Sequence, residues 1–227
     1  EQASIDRAIV DAPGGPVQHR RARDAIGALI DEAFGAYAGE PTGQQAPLGG
    51  EPPRDVRPDL RLRQAQLIGA YGALGRDALY TAYCDHYGGA SFRHWHPQHA
   101  ARWKTQHDAR IEEASPRVIE RYLFGQLLAH EEHARVRATC ASLGLMLYGD
   151  LQVGYSDADA WAYPNVFLDD YVMGAPPSRT NPDGQPWNYP VLDPAQFDGA
   201  ARALLVARID KAFDEYDSIR IDHPHGL

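Results

Sequence analysis

Ile219-Arg220-Ile221-Asp222-His223-Pro224-His225-Gly226-Leu227 is the stretch on which the fold turns. Ile219 and Ile221 alternate with Arg220 and Asp222, the period-two pattern of a short strand with one apolar and one charged face. Pro and Gly follow at once. A strand that ends in Arg-x-Asp-His and breaks into a turn has the look of the carboxyl edge of a barrel strand, the edge where such folds place their chemistry. The same residues also suit a plain edge strand running into a solvated turn. The upstream chain has to decide between the two.

Working back, Pro194 to Tyr216 carries Phe197, Ala201, Leu204, Leu205, Ile209 and Phe213 at helical spacing, which predicts a helix feeding the terminal strand. Residues 155–194 are rich in Pro, Gly, Asn and Asp and read as a long loop. Before them, Leu145-Met146-Leu147-Tyr148-Gly149-Asp150-Leu151-Gln152-Val153-Gly154 is mostly apolar and bounded by turn residues. It reads as a buried strand ending near Asp150. A long helix precedes it, with Ser115 as N-cap, Pro116 in the first turn and Gly144 at the left-handed C-terminal position.

Residues 59–87 show helical periodicity broken near Gly75, and Gly88-Gly89 makes a turn. Asp24 to Tyr37 is a further helix, and 39–58, with Gly49-Gly50 and Pro52-Pro53, is a linker. Strands that alternate with helices predict an α/β fold with a parallel sheet. The long loop on the carboxyl side of a strand is where a barrel builds its binding site.

The bulk properties exclude several classes. The chain has 227 residues, 44% hydrophobic and 23% charged, as in an ordinary globular protein of one large or two small domains. Its formal net charge of −9 argues against nonspecific nucleic-acid binding. No apolar run is long enough to span a bilayer, so no membrane partner is expected. Cys84 and Cys140 cannot build a disulfide framework and fit two buried thiols in a reducing, cytoplasmic setting. Oligomeric state leaves no mark on the sequence.

The histidines are tempting as metal ligands. His94-x-His96-x-x-His99 and His130-Glu131-Glu132-His133 both approach known spacings. The second lacks the i, i+4 pair that puts two ligands on one helical face, and the first has no companion cluster. No metal is expected. The Gly-x-Ser-x-Gly elbow, the P-loop and the dinucleotide glycine fingerprint are all missing, and no cofactor is expected.

Two carboxylates at strand ends remain, Asp150 and Asp222. Between them lies a segment dense in Trp, Tyr, Gln and Asn. Aromatic faces stack on sugar C–H faces and amides bind hydroxyls, so carbohydrate is a sensible ligand; an irregular loop anchored by its aromatics fits equally well.

Taken in order, Gly149-Asp150-Leu151-Gln152-Val153-Gly154, Trp161, Phe167, Gly174-Ala175-Pro176-Pro177, Gly184-Gln185-x-Trp187 and Arg220-Ile221-Asp222-His223-x-x-Gly226-Leu227 resemble the 4-alpha-glucanotransferase (amylomaltase, disproportionating enzyme) family of the alpha-amylase clan. The resemblance is clearest from about residue 115 to 227. It implies part of a (β/α)8 TIM barrel over 145–227, with an acceptor-side loop. A helix-rich inserted subdomain would occupy 58–144, and 1–57 stay unassigned. It implies a transferase that moves alpha-1,4-glucan segments between maltooligosaccharides through a covalent glycosyl-enzyme on Asp222.

The resemblance makes Arg220 the group that holds this nucleophile, and His223 a hydroxyl-binding neighbour. Gln185 and Trp187 belong to the loop over the acceptor, and Asp150 supports the strand-end network. The family's general acid/base glutamate and third aspartate come from later strands and have no counterpart here. An eight-stranded barrel typically needs about 250 residues. The expectation is therefore a piece of a longer enzyme, inactive alone. A non-catalytic carbohydrate-binding module and an alpha-glucan hydrolase of the same clan are the alternatives. The sequence also departs from the family's usual pattern: Tyr155-Ser156-Asp157 stands where an acidic pair is common, and Asn188 replaces a frequent glycine.

Overall fold

A computed structural model describes residues 19–39, 55–100 and 115–223. Residues 40–54 of the linker expected over 39–58 and the closing Pro224-His225-Gly226-Leu227 lie outside them; the end of that linker needs correcting, because a helix already begins at Arg57. Helix α1 (His19–Ala38) packs Phe34 and Tyr37 against Phe124 of the long helix α5 (Pro116–Ser142). Helices α2 (Arg57–Ala70) and α3 (Ala73–His86) also lie on α5. The break between α2 and α3 falls at Tyr71-Gly72, and Gly75 is inside α3. The cause is tertiary: the Tyr71 hydroxyl donates to Asp214 Oδ2 at 3.1 Å, and Lys211 sits 4.3 Å over the Tyr71 ring. These anchors fix the corner at Tyr71-Gly72, three residues before Gly75.

A 3-10 turn (Phe92–His94) and the short α4 (Pro97–Ala100) follow. Helix α5 begins as expected at Ser115-Pro116, although the Ser115 side chain makes no capping hydrogen bond. It ends on Gly144, whose φ is +69°. The Leu145 amide donates to Cys140 O at 2.9 Å and the Gly144 amide to Ala141 O at 3.1 Å. This paired closure satisfies the last carbonyls of a helix.

Strand β1 (Tyr148–Leu151) pairs in parallel with β4 (Ser218–Ile221), with Asp150 opposite Arg220. The expected buried strand over 145–154 needs correcting. Only four residues are strand, and Met146 is 73% and Tyr148 64% exposed. Among the described residues β4 alone pairs with β1, so the other edge of β1 meets no strand.

The long loop over 155–194 needs correcting too. It contains α6 (Asp157–Ala162) and an antiparallel hairpin of β2 (Phe167–Ala175) and β3 (Gln185–Leu192). Pro186 and Pro190 are tolerated because a two-stranded ribbon is all edge. The final helix is shorter than expected. Asp193 caps a 3-10 turn (Pro194–Gln196), and α7 runs only over Ala200–Glu215.

Besides the Phe34–Tyr37–Phe124 cluster, two packed clusters hold these pieces. One gathers Tyr155, Val166, Phe167, Leu192, Ala201 and Leu204, joining α7 to the hairpin. The other is aromatic: Tyr83, Trp95 and Trp161, with Tyr80 and Tyr87 against it. Residues from both sides of position 144 build the aromatic cluster, which ties α3 to α6. Cys84 and Cys140 are unpaired and half-buried rather than fully buried.

Candidate active site

The β1–β4 pair is fixed at both ends. At the amino end the Asp217 amide donates to Leu147 O, and the Leu147 amide donates back to Asp217 Oδ2, each at 2.9 Å. Arg137 of α5 donates to Asp217 Oδ1 at 3.0 Å and also to the Asp214 carbonyl. The Leu147 amide first, then the Arg137 guanidinium, lowers the Asp217 carboxyl below its ordinary range. At the carboxyl end the Asp222 amide donates to Leu151 O at 3.0 Å. A slip of one residue would break all of these bonds at once and turn Arg220 to the other face.

That register assembles the strand-end residues. Arg220 donates from Nη1 to Asp150 Oδ2 at 2.8 Å and from Nη2 to Asp222 Oδ1 at 2.5 Å. One guanidinium thus bridges the two carboxylates, a use of its rigid fork that lysine could not reproduce. His223 Nδ1 lies 3.5 Å from Asp222 Oδ1, with the His223 backbone at φ +47°. Its ring meets Trp187 edge-on, with centroids 5.0 Å apart. The hairpin therefore lies against the end of β4.

Tyr189, two residues along β3, docks the hairpin on the segment after β1. A Cβ on Gly154 would stand 2.7 Å from the Tyr189 ring, so glycine is what admits the contact. Gln185 opens β3 opposite Ala175, is exposed, and makes no hydrogen bond to the Asp222 cluster. Five of the six expected site residues, Asp150, Arg220, Asp222, His223 and Trp187, thus stand together in direct contacts.

The sequence departures have structural accounts. Asn188 adopts φ +61°, a left-handed conformation that glycine and asparagine reach most easily. Ser156 forms a reciprocal capping box with Asp159 at the start of α6. Asp157 is engaged by Arg93 and accepts from Ser91 at 3.0 Å. The sequence reading passed over the Arg137–Asp217 clamp. Its one signal was an Asp just before a strand, a residue type that bonds nearby backbone amides.

Among the described residues no three His, Cys, Asp or Glu side chains gather as a metal set. Two of the tempting histidines are engaged elsewhere. His99 is buried, with Nδ1 2.7 Å from the Tyr87 hydroxyl, and His133 Nε2 lies 2.9 Å from Glu215 O. No described helix is long and apolar enough to cross a membrane.

The fold and this cluster define a class: an α/β protein with arginine-paired carboxylates at the carboxyl ends of neighbouring parallel strands, beneath an aromatic hairpin. The profile of the 4-alpha-glucanotransferase family matches residues 70–227, and the chain belongs to that family. It is 36% identical over 117 residues to the chloroplastic/amyloplastic 4-alpha-glucanotransferase DPE1 of Oryza sativa subsp. japonica, covering 48% of this chain and 20% of that one. It is 31% identical over 113 residues to the 4-alpha-glucanotransferase of Haemophilus influenzae, covering 48% and 16%. The chain thus spans about a fifth of the length of such relatives. Its fold matches an amylomaltase from Streptococcus agalactiae solved in complex with acarbose, with a TM-score of 0.63 at 18% identity, over 86% of this chain and 45% of that one.

Proposed function

We propose that this chain is part of a retaining 4-alpha-glucanotransferase and that Asp222 is its nucleophile. The observation that carries the reading is the Arg220 bridge between Asp150 and Asp222 at paired strand ends. A carboxylate anchored by an arginine keeps one oxygen committed and the other directed, as attack on an anomeric carbon requires. In the first step a carboxylate oxygen of Asp222 bonds to the anomeric carbon and the glycosidic C–O bond breaks. The departing oxygen takes a proton from a general acid that the family supplies from a later strand. In the second step a sugar hydroxyl attacks the glycosyl-enzyme, loses its proton to the same group, and frees Asp222.

Arg220 offsets charge on the departing carboxylate, and Asp150 fixes Arg220. His223 and Trp187 flank the sugar, and Gln185 reaches the acceptor through the hairpin. Covering the site there keeps water away and favours transfer.

The parallel pair with its crossover helix is read as part of a (β/α)8 barrel over 145–227, with 58–144 as a helical insertion. Maltooligosaccharides are the substrates. Two unpaired thiols fit a cytoplasmic setting. The test is maltotriose disproportionation. A gene product carrying this chain with the remaining barrel is expected to give glucose plus longer oligosaccharides, and Asp222→Asn to abolish both. The 227-residue chain alone is expected to give neither. Glucose and maltose without longer products would mark a hydrolase instead, and turnover that survives Asp222→Asn would end the nucleophile assignment.

A further inference from the structure

A cleft of about 690 Å³ opens between the Phe92–Pro97 segment and the hairpin, within the size range of small-ligand sites. Trp95 and Trp161 form its floor, both buried. Tyr171 stands at its rim, 65% exposed. Asp169 and Asn188 also line it, and neither side chain is engaged by a hydrogen bond or ion pair among the described residues. Arg93 closes one side, held by Asp157 and lying 4.6 Å from the Phe92 ring centre.

This is a lining of flat apolar faces edged by unspent acceptors and amide donors. It matches a pyranose ring, which has C–H faces and a rim of hydroxyls. An exposed tyrosine gives large apolar area with a polar tip at low ordering cost. The larger cleft of about 880 Å³ beside α7 is different: it is lined by many charged side chains, among them Arg76, Asp77, Lys211 and Glu215, and Lys211 pairs with Glu215.

The cleft and the strand-end cluster are separated by a single strand, β3. Asn188 lines it, while the preceding Trp187 meets His223 beside Asp222. Consecutive residues of β3 therefore reach into the two places. We infer that this cleft is an accessory subsite for an alpha-1,4-glucan chain, with Tyr171 as stacking platform and Asp169 and Asn188 as hydroxyl partners. A glucan reacting at Asp222 would cross β3 and lay a distal glucose here. The inference rests on the glucan reading above and extends it to longer chains: maltoheptaose reaches the cleft and maltotriose does not.

The test is a titration of the isotopically labelled 227-residue chain with maltotriose and maltoheptaose, followed by NMR. Maltoheptaose is expected to shift the amides of Asp169, Tyr171 and Asn188 together with the Trp187 indole and His223. Tyr171→Ala should raise its Kd about three- to tenfold, the size of one lost ring contact. Tyr171→Phe should keep the affinity, and maltotriose binding should not respond to either variant. Because Tyr171 is exposed, neither change threatens the fold. Shifts at Trp187 and His223 alone, with a Kd indifferent to Tyr171→Ala, would overturn the subsite and leave the glucan reading standing. Shifts at the cleft alone would support the subsite and remove the binding support for the Asp222 cluster. No shift at either place with either sugar would overturn both.

Discussion

The aromatic cluster and the strand-end cluster are built on opposite principles. Tyr83, Trp95 and Trp161 are buried and held by ring packing. Asp150, Arg220 and Asp222 have side chains 38% to 55% exposed and are held by two ion pairs. Pairs that exposed contribute little net stability, because solvent screens them. The charged cluster therefore orients its members without holding them in place. Position comes from elsewhere: the aromatic floor, the Arg137–Asp217 clamp and the hairpin docked through Gly154. Stability and chemistry are thus separable, and each substitution below tests that separation.

Trp161→Ala should have the largest effect. Trp161 lies within 6.2 Å of Trp95 and 5.6 Å of Tyr80, centroid to centroid, and its indole N–H donates to the His99 carbonyl. Truncation should cost about 3–5 kcal/mol in denaturant unfolding. A loss below about 1 kcal/mol would mean that the aromatic cluster does not carry the fold. Gly154→Ala should cost about 1–3 kcal/mol, since the new methyl meets the edge of the Tyr189 ring at 2.7 Å. Adding Tyr189→Ala should return much of that loss. A double-mutant cycle reads the coupling, and strict additivity would show that the hairpin does not dock there.

Asp77 allows a change of the opposite sign. Burial first, and the nearby Asp159 second, push its carboxyl up to about 6 from 3.8, with Arg76 opposing. Between those values the folded chain holds a proton that the unfolded chain has released. Stability therefore falls as pH rises from about 4 to 6, and the penalty is complete above that window. Asp77→Asn should stabilise the chain by about 1 kcal/mol at pH 7.5, after allowing for partial solvent access, and by nothing at pH 4. Equal effects at both pH values would refute the burial account.

Arg220→Ala should change stability least, by under about 1 kcal/mol, while removing the bridge between Asp150 and Asp222. If it proved as damaging as Trp161→Ala, the division between orienting and holding groups would collapse.

The sequence disclosed these two regions unequally. The terminal strand was legible because its period-two pattern ends in Asp222 beside turn residues, and the crossover helix was legible from its apolar spacing. The hairpin was not. Asp169, Asp170, Gly174, Pro186 and Pro190 carry loop signals, and a ribbon with two free edges does not need the alternation of a half-buried sheet. The corner at Tyr71-Gly72 was expected near Gly75, because the contacts that fix it, to Asp214 and Lys211, lie far along the chain.

Within the site, Asp150 and Asp222 were visible as strand ends. The bridging role of Arg220 needed the parallel register that sets it opposite Asp150. Asn188 looked like a departure from the family until its left-handed backbone showed why asparagine can stand there.

The proposed nucleophile can be tested in the first step alone. Fluoride is a good enough leaving group to depart without a proton, so a 5-fluoro-α-D-glucosyl fluoride probes the first step alone. Incubated with the 227-residue chain and followed by peptide mass spectrometry, it is expected to leave one fluoroglucosyl adduct on Asp222. The adduct should be lost in Asp222→Asn and slowed in Arg220→Ala. An adduct on Asp150, or no adduct on Asp222 under conditions where the chain binds maltoheptaose, would contradict the assignment.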